Sequence, residues 1–201
     1  KGNYDTALEL LLKSSEINRQ QPNKKQNLYN LACDYFDIGL VFINKDDYPA
    51  AKEFYAKSLK IFEKLNLKNE ISDYYFNLGE IHYYEKEFNQ ALELYLKGLA
   101  VDQEQGNLPN MASGYNMIGE LYFEMGDVKI AEEYYSRALS LCLQIKAPVE
   151  LADTYYNLGL LYRDRKDKKR SKEYLRQAQE IYKNIDLPEY NEIKLEFAKD
   201  K

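Results

Sequence analysis

Tyr75-Phe76-Asn77-Leu78-Gly79-Glu80-Ile81-His82 has three counterparts in the chain: YFDIGLVF at 35–42, YNMIGELY at 115–122 and YYNLGLLY at 155–162, each displaced by 40 residues from the next. Self-similarity at a fixed interval of this size marks a stacked repeat, in which one supersecondary unit recurs. Aligned on Gly39, Gly79, Gly119 and Gly159, position −4 holds Tyr35, Tyr75, Tyr115 and Tyr155. Position −1 holds Ile38, Leu78, Ile118 and Leu158, and position +3 holds Phe42, His82, Tyr122 and Tyr162. Those offsets trace one face of an α-helix.

A second helical pattern follows each first one. Twelve residues beyond each glycine stand Ala51, Ala91, Ala131 and Ser171; four later come Tyr55, Tyr95, Tyr135 and Leu175; three later still, Ser58, Gly98, Ala138 and Ala178. The turns between the patterns, such as Lys45-Asp46-Asp47 and Met125-Gly126-Asp127, are too short for anything but an antiparallel hairpin. The small residues predict that the glycine of the first helix faces the alanine of the second, with the large Tyr and Leu side chains filling the space above and below. Pro49, Pro109, Pro148 and Pro188 fall just inside expected helix starts, where a missing N–H costs nothing.

The pattern Y-x2-[IL]-G-x2-[FHY]…A-x3-[YL] resembles the tetratricopeptide repeat, whose consensus is W-x2-L-G-x2-Y…A-x3-F. The period is 40 rather than the family's 34, and the family's proline near the end of the second helix is absent. In this the chain is similar to the extended repeats of Pins-type adaptors, kinesin light chains and bacterial peptide-sensing regulators. The expected fold is all-α, and the resemblance implies a right-handed α-solenoid of antiparallel helical hairpins forming a single domain. Its parts are a half repeat at 1–21, full repeats at 25–66, 69–106, 109–146 and 149–186, and a capping helix at 188–199. The half repeat rests on Gly2-Asn3-Tyr4-Asp5-Thr6-Ala7, which parallels Asp46-Asp47-Tyr48-Pro49-Ala50-Ala51. The cap rests on the narrow apolar stripe of Tyr190, Ile193 and Phe197. First helices are expected near 25–44, 70–85, 109–125 and 149–165, and second helices near 4–20, 48–65, 88–105, 128–145 and 168–185. A chain that starts without Met and within a repeat is expected to be a piece of a longer protein.

Composition narrows the function. Twenty Tyr and eight Phe beside only nine Gly and five Pro favour long helices over a turn-rich β fold. A net charge of −5 and a pI near 5.2 give no general attraction to phosphate backbones, so no nucleic-acid partner is expected. No apolar run approaches the ~20 residues of a membrane span. Cys33 and Cys142 lack metal or disulfide spacing and read as packing residues in a reducing, cytoplasmic compartment. His82 is the one histidine, so no Ser-His-Asp, Cys-His or HExxH constellation exists, and it reads as packing in a slot that is aromatic elsewhere. With no Gly-rich phosphate cradle either, neither an enzyme nor a cofactor or metal is expected. The basic cluster Arg163, Arg165, Lys166, Lys168, Lys169, Arg170 and Lys172 reads as a solvated turn, with a docking patch for an acidic partner or membrane surface as the alternative.

If the glycine face of each first helix is core, another face is left over, and the resemblance implies that it lines a concave groove. The candidate partner-binding residues on it are Phe36, Asp37 and Leu40; Asp73, Phe76, Asn77, Glu80 and Tyr83; Asn116, Glu120, Phe123 and Glu124; and Tyr156, Asn157, Leu160 and Arg163. Mixed aromatic, amide and carboxylate groups suit a peptide site with apolar pockets and orienting polar groups, though some of the aromatics could pack between repeats instead. The resemblance further implies that Asn77 and Asn157 bind the backbone of an extended ligand, a role an amide suits because it donates and accepts. A clamp for a chaperone's C-terminal carboxylate is not expected, because Phe36, Leu40 and Asp73 stand where it needs Lys, Arg or Asn. Acidic side chains outnumber Arg163 on this face, so the expected partner is a protein or peptide carrying basic and apolar side chains. The function expected is a protein–protein interaction module, acting as an adaptor or sensor segment. The alternative is a structural spacer or oligomerisation scaffold supporting a fused effector domain; the oligomeric state stays open.

Overall fold

The computed structural model describes residues 4–20 and 24–185. The expected cap at 188–199, like Pro188 and the start of the half repeat at Gly2 and Asn3, lies outside the described residues. Among these residues the chain is all-α: α1 (Tyr4–Arg19), α2 (Lys25–Ile43), α3 (Tyr48–Leu65), α4 (Lys68–Tyr84), α5 (Phe88–Gln105), α6 (Leu108–Glu124), α7 (Val128–Ile145), α8 (Pro148–Asp164) and α9 (Lys168–Asn184). The residues group into two compact units, 1–101 and 102–201. In the first, α2 and α3 form a hairpin flanked by α1 and α4; in the second, α6 pairs with α7 and α8 with α9, while α7 also packs on α8.

A 20-residue rhythm underlies the 40-residue period. Asp46, Asn66, Lys86, Gly106, Gly126, Lys146 and Lys166 all have positive φ, between 55° and 85°. Each ends a helix in the left-handed conformation that reverses the chain and lets free carbonyls be satisfied. The N–H groups of Asp47, Glu87, Asp127 and Asp167 each reach back 2.9 Å to the carbonyl of residue 42, 82, 122 or 162. Three of the following helices start on side-chain caps, whereas Asp127 at the start of α7 makes none. Asp47 accepts from the Ala50 N–H, Asn107 from Asn110 and Asp167 from Arg170. Pro49, Pro109 and Pro148 lie in first turns.

The glycine's partner differs from the sequence expectation. A Cβ built on Gly39 would lie 2.5 Å from a ring carbon of Tyr55; on Gly119, 2.6 Å from Tyr135; on Gly159, 2.6 Å from Leu175. The glycines therefore make room chiefly for the large residue of the second helix; the alanine slot is close as well, with the Ala91 carbonyl 3.3 Å from a Cβ on Gly79 and Ser171 donating to the Gly159 carbonyl at 2.8 Å. The physical reason is that the Tyr or Leu side chain lies across the first helix, and any Cβ there would lift it off. Ala51, Ala131, Tyr55 and Tyr135 are all buried as a result.

Each complete aromatic hairpin adds a three-ring stack. Phe54 lies between Tyr35 (5.9 Å) and Phe42 (5.6 Å) in the first unit. Tyr134 sits likewise between Tyr115 and Tyr122, and Tyr174 between Tyr155 and Tyr162, in the second. Offset and tilted pairs at these distances add roughly 0.5–1.5 kcal/mol each beyond the area they bury.

Candidate partner-binding face

In the first unit, the leftover faces of α2 and α4 hold the predicted residues at three different depths. Asp37 and Asp73 are exposed; Phe36, Leu40, Asn77, Glu80 and Tyr83 are half-buried. Phe76 is only 7% exposed. Its ring packs 6.2 Å from that of Tyr95 and against Gly98, where a Cβ would come within 3.0 Å. Phe76 is thus a packing residue, covered because Gly98 leaves space for the ring. Asn77 is bound from both ends: its amide donates to the Asp73 carbonyl at 2.8 Å and accepts from the Tyr55 hydroxyl at 3.3 Å. Glu80 accepts from Tyr84 at 2.9 Å, and Tyr83 packs on Phe88 with the Lys86 ammonium above its ring.

In the second unit, Glu120 and Glu124 are exposed, while Phe123, Tyr156, Asn157, Leu160 and Arg163 are half-buried. Phe123 packs on the cluster of Ala131, Tyr135, Leu158, Leu161 and Tyr162, and Tyr156 on that of Ala152, Ala178 and Tyr182. Asn116 departs from the expectation: it is 7% exposed and donates 2.8 Å to the Thr154 hydroxyl, which in turn donates to the Glu150 carbonyl. Its amide joins α6 to α8 instead of facing a ligand.

The structure adds a feature that the sequence did not single out. Cys33, Phe36 and Asp37 of α2, Phe62 of α3, and Glu70 and Asp73 of α4 surround a cavity of about 90 Å³. Phe36 and Phe62 have ring centroids 6.3 Å apart. Below them Asp34 is buried and accepts from Ser14 at 3.1 Å and Asn18 at 2.7 Å, tying α2 to α1. Although Asp37 is exposed as a residue, partial desolvation of its carboxyl pushes it above the usual range, and the charge of Asp34 adds to that. Burial likewise pushes the Cys33 thiol up. The Tyr29 hydroxyl counters this by bonding the sulfur, while the charges of Asp37, Glu70 and Asp34 reinforce it. Cys142 fits the packing role read for it; Cys33 is half-buried and lines the cavity. Phe62 and Glu70 escaped the sequence reading because they belong to a second helix and to the first turn of α4, off the face traced from the glycines.

His82 also departs from its expected packing role. Its ring Nδ1 is 2.6 Å from Glu87, across the turn, and 3.7 Å from Glu85, which pairs with Lys52 at 2.6 Å. Ligand atoms of His82, Glu85 and Glu87 lie within 4.8 Å of one another. The histidine–carboxylate bond and the lysine pair account for this cluster as a lock on the α4–α5 turn. At the basic turn, Arg165 bonds Glu132, and Arg170 bonds Asp167 and covers the Tyr162 ring at 4.1 Å. Glu132 also accepts from the Tyr162 hydroxyl. Among the described residues no helix is long and apolar enough to cross a membrane.

Hairpins of two helices, with a left-handed residue at each of the seven junctions from α2 to α9 and a large side chain packed over each first-helix glycine, define a helical-repeat protein. The chain belongs to the tetratricopeptide repeat family, whose model matches residues 35–104 and 110–184. No curated protein sequence matches it. Several solved structures share the fold. BtubC (BKLC) from P. vanneervenii aligns with a TM-score of 0.77 at 19% identity, over 92% of this chain and 75% of that one. A Rap protein complexed with Competence and Sporulation Factor aligns with a TM-score of 0.71 at 15% identity, over 89% of this chain and 50% of that one. A signal transduction ATPase with a tetratricopeptide repeat sensor, from Pyrococcus horikoshii, aligns with a TM-score of 0.67 at 19% identity, over 88% and 31%. The chain thus spans half the length of the Rap protein and less than a third of the ATPase.

Proposed function

We propose that this chain is an adaptor or sensor segment that binds a peptide or protein segment carrying basic and apolar side chains on the leftover faces of its first helices. The observation that carries the reading is the charge on those faces. Asp37, Asp73, Glu120 and Glu124 are exposed there and Glu80 is half-buried, against the single base Arg163. Half-buried Phe36, Tyr83, Phe123 and Tyr156 interleave with them and supply apolar contact. Opposite charge across such a face speeds encounter and restricts partner choice more than it deepens affinity. The Rap protein bound to Competence and Sporulation Factor and the ATPase with a repeat sensor support the sensing side of the proposal by likeness of fold alone.

Stopped-flow kinetics over a salt series test the proposal, with basic–apolar peptides selected on the chain from a peptide array. Binding should weaken with salt through a slower on-rate, and replacing Glu80 and Glu120 by Gln should flatten that dependence. Salt-independent binding, or selection of acidic peptides that depend on the turn at 163–172, would move the site to the basic cluster. The spacer or scaffold reading draws on one observation: α1 exposes Leu10, Leu12 and Ile17, at 61%, 44% and 65%. Concentration-dependent self-association abolished by Leu10→Ser/Ile17→Ser would favour it.

A further inference from the structure

We infer that the cavity between α2, α3 and α4 is an anchor site for one cationic side chain, a lysine or arginine, of the bound segment. The inference rests on the protein-interaction reading and names where in the first unit a basic residue is held. Among the described residues, three of the six that line it are carboxylates, Asp37, Glu70 and Asp73; two are aromatic, Phe36 and Phe62; one is the Cys33 thiol; none is basic. The buried Asp34, one turn before Asp37, does not line the cavity but is near enough for its charge to act on Asp37 and Cys33. A cation gains from the carboxylates and from the half-buried ring of Phe36, since aromatic rings attract ammonium and guanidinium groups. Its aliphatic stem covers the part of that ring that is otherwise wet, while Phe62, 2% exposed, forms the apolar wall behind it. An anion meets repulsion on three sides. A neutral apolar side chain of the same length would strip water from the carboxylates and return nothing to them.

The equivalent seam of the second unit shows what the same backbone does without such a site. Eighty residues on, Cys33, Phe36, Asp37, Phe62, Glu70 and Asp73 become Ser113, Asn116, Met117, Cys142, Glu150 and Asp153. There Asn116 donates to Thr154 and Tyr182 donates to Asp153, so the seam is bridged by bonds within the fold. The two aromatic rings and the Asp37 carboxylate are the replacements that turn a structural seam into a cation-binding hollow.

Cys33 supplies the readout. It lines the cavity, whereas Cys142 is fully buried, so iodoacetamide labelling of the folded chain reports on Cys33. The probes are N-acetyl-lysine methylamide, N-acetyl-arginine methylamide and N-acetyl-norleucine methylamide, each against a matched ionic-strength control. With a dissociation constant of a few millimolar, a seated cation slows labelling on the order of threefold at roughly 10 mM probe. Norleucine, which has the stem without the charge, should leave the rate unchanged. Protection should disappear in Asp37→Asn/Glu70→Gln, with circular dichroism checking its fold. Equal protection by norleucine would overturn the inference. So would protection that survives the double substitution, or faster labelling, which means a cation passing outside and favouring the thiolate. The comparison among probes on the unsubstituted chain decides the matter even if the double variant is unstable. Because no partner is used, failure here leaves the wider interaction reading standing, and a failed salt series leaves this site standing.

Discussion

Replacing Gly119 by Ala sets two known quantities against each other at a defined contact. Alanine is the better helix former by about 1 kcal/mol, and Gly119 lies well inside α6. The new methyl, however, would sit 2.6 and 2.7 Å from the Cε1 and Cδ1 carbons of Tyr135, and 3.2 Å from Cγ. Carbon atoms in contact prefer about 3.5–4.0 Å, so the ring must retreat by roughly 1 Å. It has nowhere to go: Tyr135 is 2% exposed and belongs to the cluster with Ala131, Leu158, Leu161 and Tyr162. Overpacking costs about 1–3 kcal/mol, and with the ring unable to move the upper part of that range, about 2–3, applies, leaving a net loss of about 1–2 kcal/mol. For a chain of this length, Tm should fall by roughly 2–8 °C. Urea unfolding followed by circular dichroism measures the loss, and the same substitution in a Tyr135→Ala background isolates its cause. With the ring gone, Gly119→Ala should become stabilising by about 1 kcal/mol. A Gly119→Ala chain at least as stable as the original, or an equal loss in both backgrounds, would refute the close packing of glycine on tyrosine.

Two further outcomes follow from the turns and from the Glu132 cluster. Lys146 ends α7 at φ 55°, a conformation costing a residue with a Cβ roughly 1 kcal/mol, so Lys146→Gly should raise Tm by about 2–4 °C; an unchanged or lower Tm would contradict that turn geometry. Burial pulls the Glu132 carboxyl up, but bonds from Tyr162 and Arg165 outweigh it and hold the group below the usual range. Its contribution is therefore complete above the unfolded value of about 4.3 and is lost as pH falls through the lowered folded value. Glu132→Gln should lose about 1–2 kcal/mol at pH 7 and nothing at the acid end; a pH-independent loss in urea titrations would mean that charge is not the cause.

Packing register, rather than composition, separated the sites that could be read from the sequence from those that could not. Phe36 and Phe76 occupy the same position, three before a glycine. Phe76 is buried because Gly98 on α5 leaves room for its ring, whereas the residue equivalent to Gly98 is Ser58 in the first hairpin, and Phe36 there lines a cavity. Asn77 and Asn116 both looked available to a ligand. One amide is held by the Asp73 carbonyl and the Tyr55 hydroxyl, and the other donates to Thr154 across a helix pair. Thr154 lies at a position where the repeats differ, and Tyr55 is marked by the pattern only as a core residue, so neither bond to an amide was legible.

The sequence by itself determined the hairpin, its 40-residue period, the helix bounds and the identity of the core face. Helical periodicity, turn length and the placement of small residues are local properties, repeated often enough to reinforce one another. Tertiary structure alone decided that the glycines meet chiefly the large Tyr or Leu side chain of the second helix, that His82 locks a turn, and that Phe62 and Glu70 join Phe36 and Asp37 around one hollow. Those outcomes depend on side chains from three helices meeting in space, and burial at such a seam is set by the volume each neighbour leaves unfilled.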